Sequence, residues 1–376
     1  MENDLIKIHK WLYPFSFLYG IGVNIRNQLF DWNILRSKSF DVPIINIGNI
    51  TVGGTGKTPH TEYLIRLLQQ EFQVAVLSRG YKRKSKGFVL ATPETPMTQI
   101  GDEPYQMKQK FPHIHVAVDA DRRNGIEQLC TPEITPEVEV VLLDDAYQHR
   151  YVKPGINILL VDYHRMIDED ALLPAGRLRE PESGKSRANI VIVTKCPHDL
   201  KPMDYRIISK QMDLYPYQEL YFSTLTYDKL TPLCPEETLP SRPLDSLGTD
   251  ERIMLLTGIA SPEQLKQDLE KYTRHIESVS FPDHHAFTAK DLQAIKQQFE
   301  QMGEGKKLII TTEKDATRLI NHPQLDEELK RSIYILPIKI EILQDQQESF
   351  NEHIIKYVRA NSRNSILHQS KDAHRS

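Results

Sequence analysis

Short apolar runs recur along the first part of the chain: one from Val42, then 73–78, 114–118, 138–143, 156–161, 190–194 and 219–225. Helical or irregular stretches separate most of them, and the spacing predicts a helix over 61–70. Runs that are apolar at nearly every position suit strands buried on both faces, so the alternation predicts βα units in a mainly parallel sheet flanked by helices. From 226 to 250 the pattern lapses into an aperiodic stretch with Pro232, Pro235, Pro240 and Pro243, which reads as a linker or extended connection. A smaller α/β pattern follows, with strand-like runs at 253–257, 276–281, 307–312 and 333–338 and helices opening at Ser261 and Thr288. Thr288-Ala-Lys-Asp291 has the form of a helix cap. Phe350, Ile354, Tyr357 and Val358 outline one more amphipathic helix before a polar tail from Asn361, expected to be mobile. The expected organisation is an N-terminal segment (1–35), a core α/β domain (36–225), a proline-rich linker (226–250), a smaller α/β domain (251–345), and a helix with its tail (346–376).

The run from Val42 leads into Asn49-Ile-Thr-Val-Gly-Gly-Thr-Gly-Lys-Thr-Pro59. Gly53, Gly54 and Gly56 let successive backbone N–H groups curl around an anion, Lys57 can reach the outer phosphates, and the Thr58 hydroxyl suits Mg²⁺. This is the layout of a phosphate-binding P-loop, and it implies a nucleoside triphosphate. The usual spacing asks for glycine where this chain has Thr51, so the opening turn is expected to differ in shape. The run Val138-Glu-Val-Val-Leu-Leu143 ends in Asp144 and Asp145. Ligands of open α/β sheets collect at the carboxyl ends of strands, where an acid beside Thr58 can serve the metal.

A length of 376 residues allows two domains, and 26% charged with 39% hydrophobic residues is ordinary for a soluble fold. A formal charge of −4 supplies no bulk attraction to nucleic acid, so no nucleic-acid partner is expected. Cys130, Cys196 and Cys234 lie far apart with no Cys-x-x-Cys pair, which argues against a disulfide framework or zinc site and fits a reducing cytoplasm. Near the N-terminus, Lys7-Ile-His-Lys10 precedes an aromatic run, Trp11 to Val23, that has the outline of a signal peptide. Pro14 breaks that run and no small-residue cleavage site follows. It is also shorter than the roughly 20 apolar residues needed to span a bilayer, leaving a core-packing helix or a segment at a membrane surface.

Other clusters sit at expected strand ends or loops. Ser78-Arg79-Gly80-Tyr81 runs into Lys82-Arg83-Lys84 and offers cations to phosphate, or is a solvated turn. Gly101-Asp102-Glu103-Pro104 places two acids where one could accept a proton and the other serve a metal; it also reads simply as a helix start. Asp119-Ala-Asp-Arg122-Arg123 and the loop Leu173-Pro-Ala-Gly-Arg-Leu-Arg179-Glu-Pro181 supply guanidiniums for phosphate or for surface ion pairs. Phe281-Pro-Asp283-His284-His285 lacks a third ligand at zinc spacing, and a histidine that orients an acid is the easier reading.

Taken in order, these motifs together with Asp144-Asp-Ala-Tyr-Gln-His149 and Thr311-Thr-Glu-Lys-Asp315 resemble the tetraacyldisaccharide 4′-kinases, the lipid A 4′-kinases of Gram-negative bacteria. The resemblance runs to about Ile340, and that family shares the threonine at position 51. It implies a P-loop NTPase-like kinase with ATP and Mg²⁺ as cofactors, acting on an acylated glucosamine disaccharide 1-phosphate. The expected location is the cytoplasmic face of the inner membrane, peripheral, through an N-terminal membrane-surface helix, with no obligate protein partner evident. On this resemblance Thr51, Val52, Gly53, Gly54, Thr55, Gly56, Lys57 and Thr58 cradle the triphosphate, and Thr58, Asp144 and Glu103 or Asp145 surround the metal. Asp102 is the base, His284 its partner, and Arg79, Tyr81, Arg122, Arg123 and Arg179 hold the sugar phosphate or steady the transferred group. Two alternatives are a P-loop GTPase or metallochaperone-type switch, faintly echoed by Thr194-Lys195-Cys-Pro-His-Asp199, and a soluble small-molecule kinase.

Overall fold

The computed structural model describes residues 8–362 except 136, 235–239, 260, 261, 283, 284, 286, 304 and 321. The strands are β1 (Ile44–Gly48), β2 (Val74–Ser78), β3 (Val89–Leu90), β4 (His115–Val118), β5 (Val140–Asp144), β6 (Ile156–Asp162), β7 (Ile190–Thr194), β8 (Glu219–Tyr227), β9 (Thr231–Pro232), β10 (Arg252–Thr257), β11 (His275–Ser280), β12 (Lys307–Thr312), β13 (Ile333–Leu336) and β14 (Ile338–Ile342). The α-helices are α1 (Tyr13–Asp31), α2 (Lys57–Leu68), α3 (Met97–Ile100), α4 (Asp102–Lys110), α5 (Arg122–Leu129), α6 (Pro202–Met212), α7 (Pro262–Leu269), α8 (Ala289–Gln301), α9 (Glu313–Leu319), α10 (Glu327–Ser332) and α11 (Gln347–Asn361).

Two compact units result, one running to Leu225 and resuming at Ile340, the other spanning Thr226–Lys339. The first is built on a nine-stranded sheet ordered β14-β8-β7-β6-β1-β5-β2-β4-β3. From β8 to β4 the neighbours are parallel, and β3 pairs antiparallel to β4. Every residue of β1, β2, β5 and β7 is buried, which is why they read as unbroken apolar runs. β1 lies between β5 and β6, so the segment after its carboxyl end opens at the centre of the sheet.

The second unit has a five-stranded sheet ordered β11-β10-β12-β13-β9, parallel from β11 to β13. Thr288 caps α8 as its sequence suggests, accepting from the Asp291 N–H. The stretch expected as a linker is instead part of this unit. β9 pairs antiparallel to β13, and Leu230, Leu233, Leu244 and Leu247 are buried in its cores. Short apolar pieces between prolines suffice for an edge strand and a packed turn, and periodicity does not register them. The expected boundary at 345 also moves, because Ile340 and Ile342 of β14, with Phe350, Ile354 and Val358 of α11, pack into the core of the first unit. The tail beyond 362 lies outside the described residues.

Candidate phosphoryl-transfer site

Gly48 ends β1 against Tyr147, so closely that a Cβ at 48 would sit 2.7 Å from that residue's Cβ. The loop beyond it is braced from within: the buried Asn49 amide donates to Thr55 Oγ1 at 2.8 Å and Thr51 Oγ1 at 3.2 Å, while Gln148 Nε2 donates to the Asn49 carbonyl. Thr51 forms an antiparallel bridge with Leu178, the Val52 N–H donates to the Arg177 carbonyl at 2.8 Å, and the Arg179 N–H donates to the Ile50 carbonyl at 2.7 Å. The opening of the loop is therefore a strand edge paired with 177–179, an extended role that a β-branched residue fills well and that accounts for threonine at 51. Gly53 (φ +120°) and Gly56 (φ +83°) take backbone shapes that side chains disfavour. Gly56 caps α2, which starts at Lys57, four residues before the position the apolar spacing suggests. Pro59 falls in its first turn, where a missing N–H costs nothing. The uncommitted N–H groups of that turn face the loop, as an anion site requires.

Register pairs Ile47 with Asp144, which brings the end of β5 beside the loop's strand. Asp144 is 1% exposed and accepts from Thr61 Oγ1 at 3.3 Å. Burial pushes its carboxyl up to about 7, the charges of Glu103 and Asp145 add to that, and Lys57 opposes it. Glu103, in the first turn of α4, thus shares the field of this site. Asp145 (φ +49°) faces cations: it accepts from Arg179 Nη1 at 3.4 Å and lies 3.7 Å from Lys57 Nζ. Among the described residues no three His, Cys, Asp or Glu side chains gather as a ready metal cage. The Thr58 hydroxyl and the Asp144 and Glu103 carboxyls are oxygen groups of the kind that hard divalent cations take as ligands.

Two glycine turns meet beside α4. A Cβ on Gly80 would lie 2.7 Å from the Ile100 carbonyl, and one on Gly101 (φ +91°) 2.8 Å from the Tyr81 carbonyl. The Ser78–Tyr81 and Gly101–Pro104 motifs are thus packed backbone to backbone, setting Asp102 and Glu103 at the head of α4. The structure separates the two arginines of the Asp119 motif. Arg122 is 3% exposed, donates to the carbonyls of Asp119 and Ala120, and has a buried Nε with no partner. Burial pulls its pKa down to about 10, Arg79 lowers it further, and Asp144, Asp145 and Asp119 hold it up. Arg123 turns away, bonded to Asp121 at 2.8 Å and lying over the Tyr151 ring. Tyr81 is largely exposed. His149 is kept neutral, its pKa lowered to about 4 by burial and by Arg122. Lys195 is ion-paired to Asp162 at 2.6 Å, leaving little of the guanine-reading echo.

In the second unit Asp283 and His284 lie outside the described residues. The neighbouring His285 stacks on Phe281 and bonds Asp291 at 3.0 Å.

Helix α1 begins with Pro14 in its first turn, so the residue that seemed to interrupt the aromatic run in fact starts the helix. Its small and polar face docks on the 172–180 loop: Ser16 Oγ donates to the Leu172 carbonyl and accepts from the Ala175 N–H, and Tyr19 donates to the Arg179 carbonyl at 2.8 Å. Outside that face Phe15, Phe17 and Leu18 are exposed by 58–69%, and Trp11, in the short turn that precedes the helix, by 73%. No helix among the described residues is long and apolar enough to cross a membrane.

Sequence reasoning passed over His60, Thr61 and Glu62, three consecutive buried polar residues in the second turn of α2. The one available signal was polarity where the helix otherwise turns Leu64, Ile65 and Leu68 to the core.

A family model described as tetraacyldisaccharide-1-P 4′-kinase matches residues 8–359. A tetraacyldisaccharide 4′-kinase of Phocaeicola vulgatus is 66% identical over 97% of this chain and 99% of its own, and one of Bacteroides fragilis is 62% identical over the full length of both. The crystal structure of LpxK from Aquifex aeolicus in complex with ATP superposes with a TM-score of 0.71 at 28% identity, covering 93% of this chain and 99% of that one.

Proposed function

The chain belongs to the tetraacyldisaccharide-1-P 4′-kinase family, and from that premise we propose how its residues divide the work. The protein is a kinase that transfers the γ-phosphoryl group of ATP to the 4′-hydroxyl of a tetraacyl glucosamine disaccharide 1-phosphate, giving the bis-phosphorylated lipid A precursor, lipid IVA. The observation that carries the assignment of roles is the convergence at the carboxyl end of β1: Lys57 of the glycine loop, the carboxylates ending β5 and Glu103 at the head of α4 share one electrostatic field.

Residues Thr51 to Thr58 cradle the triphosphate, through the N–H groups of the loop and the Lys57 ammonium. Thr58, Asp144 and Glu103 would hold Mg²⁺, which would supply charge neutralisation at the phosphates. Asp145 keeps Lys57 and Arg179 in place, a role its two cation contacts favour over metal ligation. Asp102 accepts the proton of the attacking hydroxyl; His284, which the family resemblance assigns as its partner, lies outside the described residues. A loose transition state asks mostly for positioning and charge neutralisation, which Arg122, buried and short of one acceptor, is built to give. Arg79, Tyr81 and Arg179 hold the sugar phosphate. Arg123 serves instead by fixing Asp121 at the cap of α5. The aromatic face of α1 lies on the membrane surface, where such side chains sit among headgroups, and this sets the kinase at the cytoplasmic face.

The test follows label from γ-labelled ATP into the acylated disaccharide 1-phosphate in mixed micelles with Mg²⁺. Asp102→Ala should lower kcat by about 10²–10⁴ while ATP still binds. A variant with kcat within about threefold of the parent would remove Asp102 from the chemistry.

A further inference from the structure

His60 takes no part in the scheme above, yet it is 4% exposed and lies one turn into α2. Its ring is engaged at both nitrogens, Nδ1 at 2.7 Å from the Gly56 carbonyl and Nε2 at 2.9 Å from Ser223 Oγ on β8. A carbonyl can only accept, so Nδ1 carries the proton and Nε2 accepts from the serine hydroxyl. The same carbonyl receives the backbone N–H of His60 at 3.2 Å, so the ring supplies the tighter of its two bonds. A small cavity beside the ring is walled mainly by Ile47, Leu64, Ile158, Ile192 and Phe350, which offer no polar substitute.

In a planar trans peptide the C=O and N–H point in opposite directions. Pinning the Gly56 carbonyl toward the core therefore aims the Lys57 N–H into the loop, where it can meet a phosphate oxygen. We propose that His60 is a positioning residue for the triphosphate: its ring, oriented by Ser223, fixes the Gly56–Lys57 peptide so that this N–H is preset for phosphate. The inference rests on reading residues 51–58 as the triphosphate cradle. It adds to that cradle a polar tether reaching through α2 to β8.

The experiment measures ATP Kd by calorimetry, and kcat and KM for ATP at saturating lipid acceptor, for the wild type, Lys57→Ala, His60→Phe, His60→Asn and Ser223→Ala. Asn keeps an N–H donor near the Nδ1 position, and Phe keeps the ring without it. His60→Phe should raise Kd and KM for ATP about three- to tenfold with kcat nearly unchanged, the mark of lost binding shared by ground and transition states. His60→Asn should stay within about twofold of the wild type. Phe and Asn variants of equal affinity, or wild-type affinity in both while Lys57→Ala loses ATP, would overturn the role of His60 and leave the cradle standing. Unchanged ATP affinity in Lys57→Ala would overturn the cradle itself. Should His60→Phe not fold, Ser223→Ala decides: about a threefold rise in Kd supports the tether, and wild-type affinity overturns it.

Discussion

Replacing Glu62 by Met should loosen the joint between the helix that carries Lys57 and the helix that carries Asp102. Glu62 is 2% exposed on α2; its carboxylate lies 2.5 Å from Lys110 Nζ and accepts from Gln106 Nε2 at 3.0 Å, both on α4. Arg66, at 3.9 Å and on the same helix, cannot replace that link between helices. Two unit charges in contact near a protein surface attract by about 4 kcal/mol at an effective dielectric of about 20. The partial exposure of Lys110 reduces this, and removing one member of a buried pair costs about 3–5 kcal/mol because its partner is left uncompensated. Glu62→Met and Lys110→Met alone should therefore each lower stability by about 2–4 kcal/mol, and the double variant should lose about 2 kcal/mol less than the sum of the two, which is the coupling energy of the pair. Urea unfolding followed by circular dichroism measures the cycle, and kcat of the folded single variants should fall about tenfold or more as Asp102 shifts relative to the triphosphate. A coupling below about 0.5 kcal/mol, or single variants with parental kcat, would refute the idea that this pair sets the spacing of the two helices.

Gly101→Ala should destabilise the protein by about 1–3 kcal/mol and depress kcat, since its φ of +91° and the Tyr81 carbonyl 2.8 Å from any Cβ leave no room; thermal unfolding and turnover check both. His60 and His149 both have folded pKa values lowered to about 4, so the unfolded chain binds more protons between about 4 and 6.5 and their contribution to stability should rise with pH across that window. Asp144 acts in the opposite sense: the folded state keeps its proton up to about 7, so its contribution should decline with pH from about 4 to 7, and Asp144→Asn should steepen the net rise seen in urea midpoints. Phe17→Glu with Leu18→Glu should abolish co-sedimentation with anionic vesicles and leave ATP affinity unchanged, because these side chains point away from the face of α1 that docks on the protein.

The central sheet was legible because its strands are buried on both faces, so apolar runs and strands coincide. The glycine loop was legible because its chemistry demands particular residues in order. What escaped was set by tertiary contact. Thr51 looked like a departure until its pairing with Leu178 showed an extended residue there. Arg122 and Arg123 are neighbours with equal charge, and only the cap of α5 sends one into the site and the other onto Asp121. Asp145 reads as a second metal acid beside Asp144, but a left-handed backbone turns it to Lys57 and Arg179. The prolines of 226–250 suggested a connector, although the leucines among them carry enough apolar surface to join a core.

The chain leaves the first unit at Leu225 and returns to it at Ile340, and that has a bearing on how the protein is made. During synthesis the nine-stranded sheet must wait for its last strand and for α11 until the whole intervening unit has emerged from the ribosome. The waiting sheet exposes the surface that Phe350, Ile354 and Val358 later cover, next to Tyr63 and Tyr221. The intervening unit, contiguous in sequence, is free to condense first. Stalled nascent chains released after residue 345 should therefore show protease resistance in 226–339 and sensitivity before it, and chains extended past 362 should be protected throughout. The kinase would thus gain its nucleotide-binding half last, only when nearly the full message has been read.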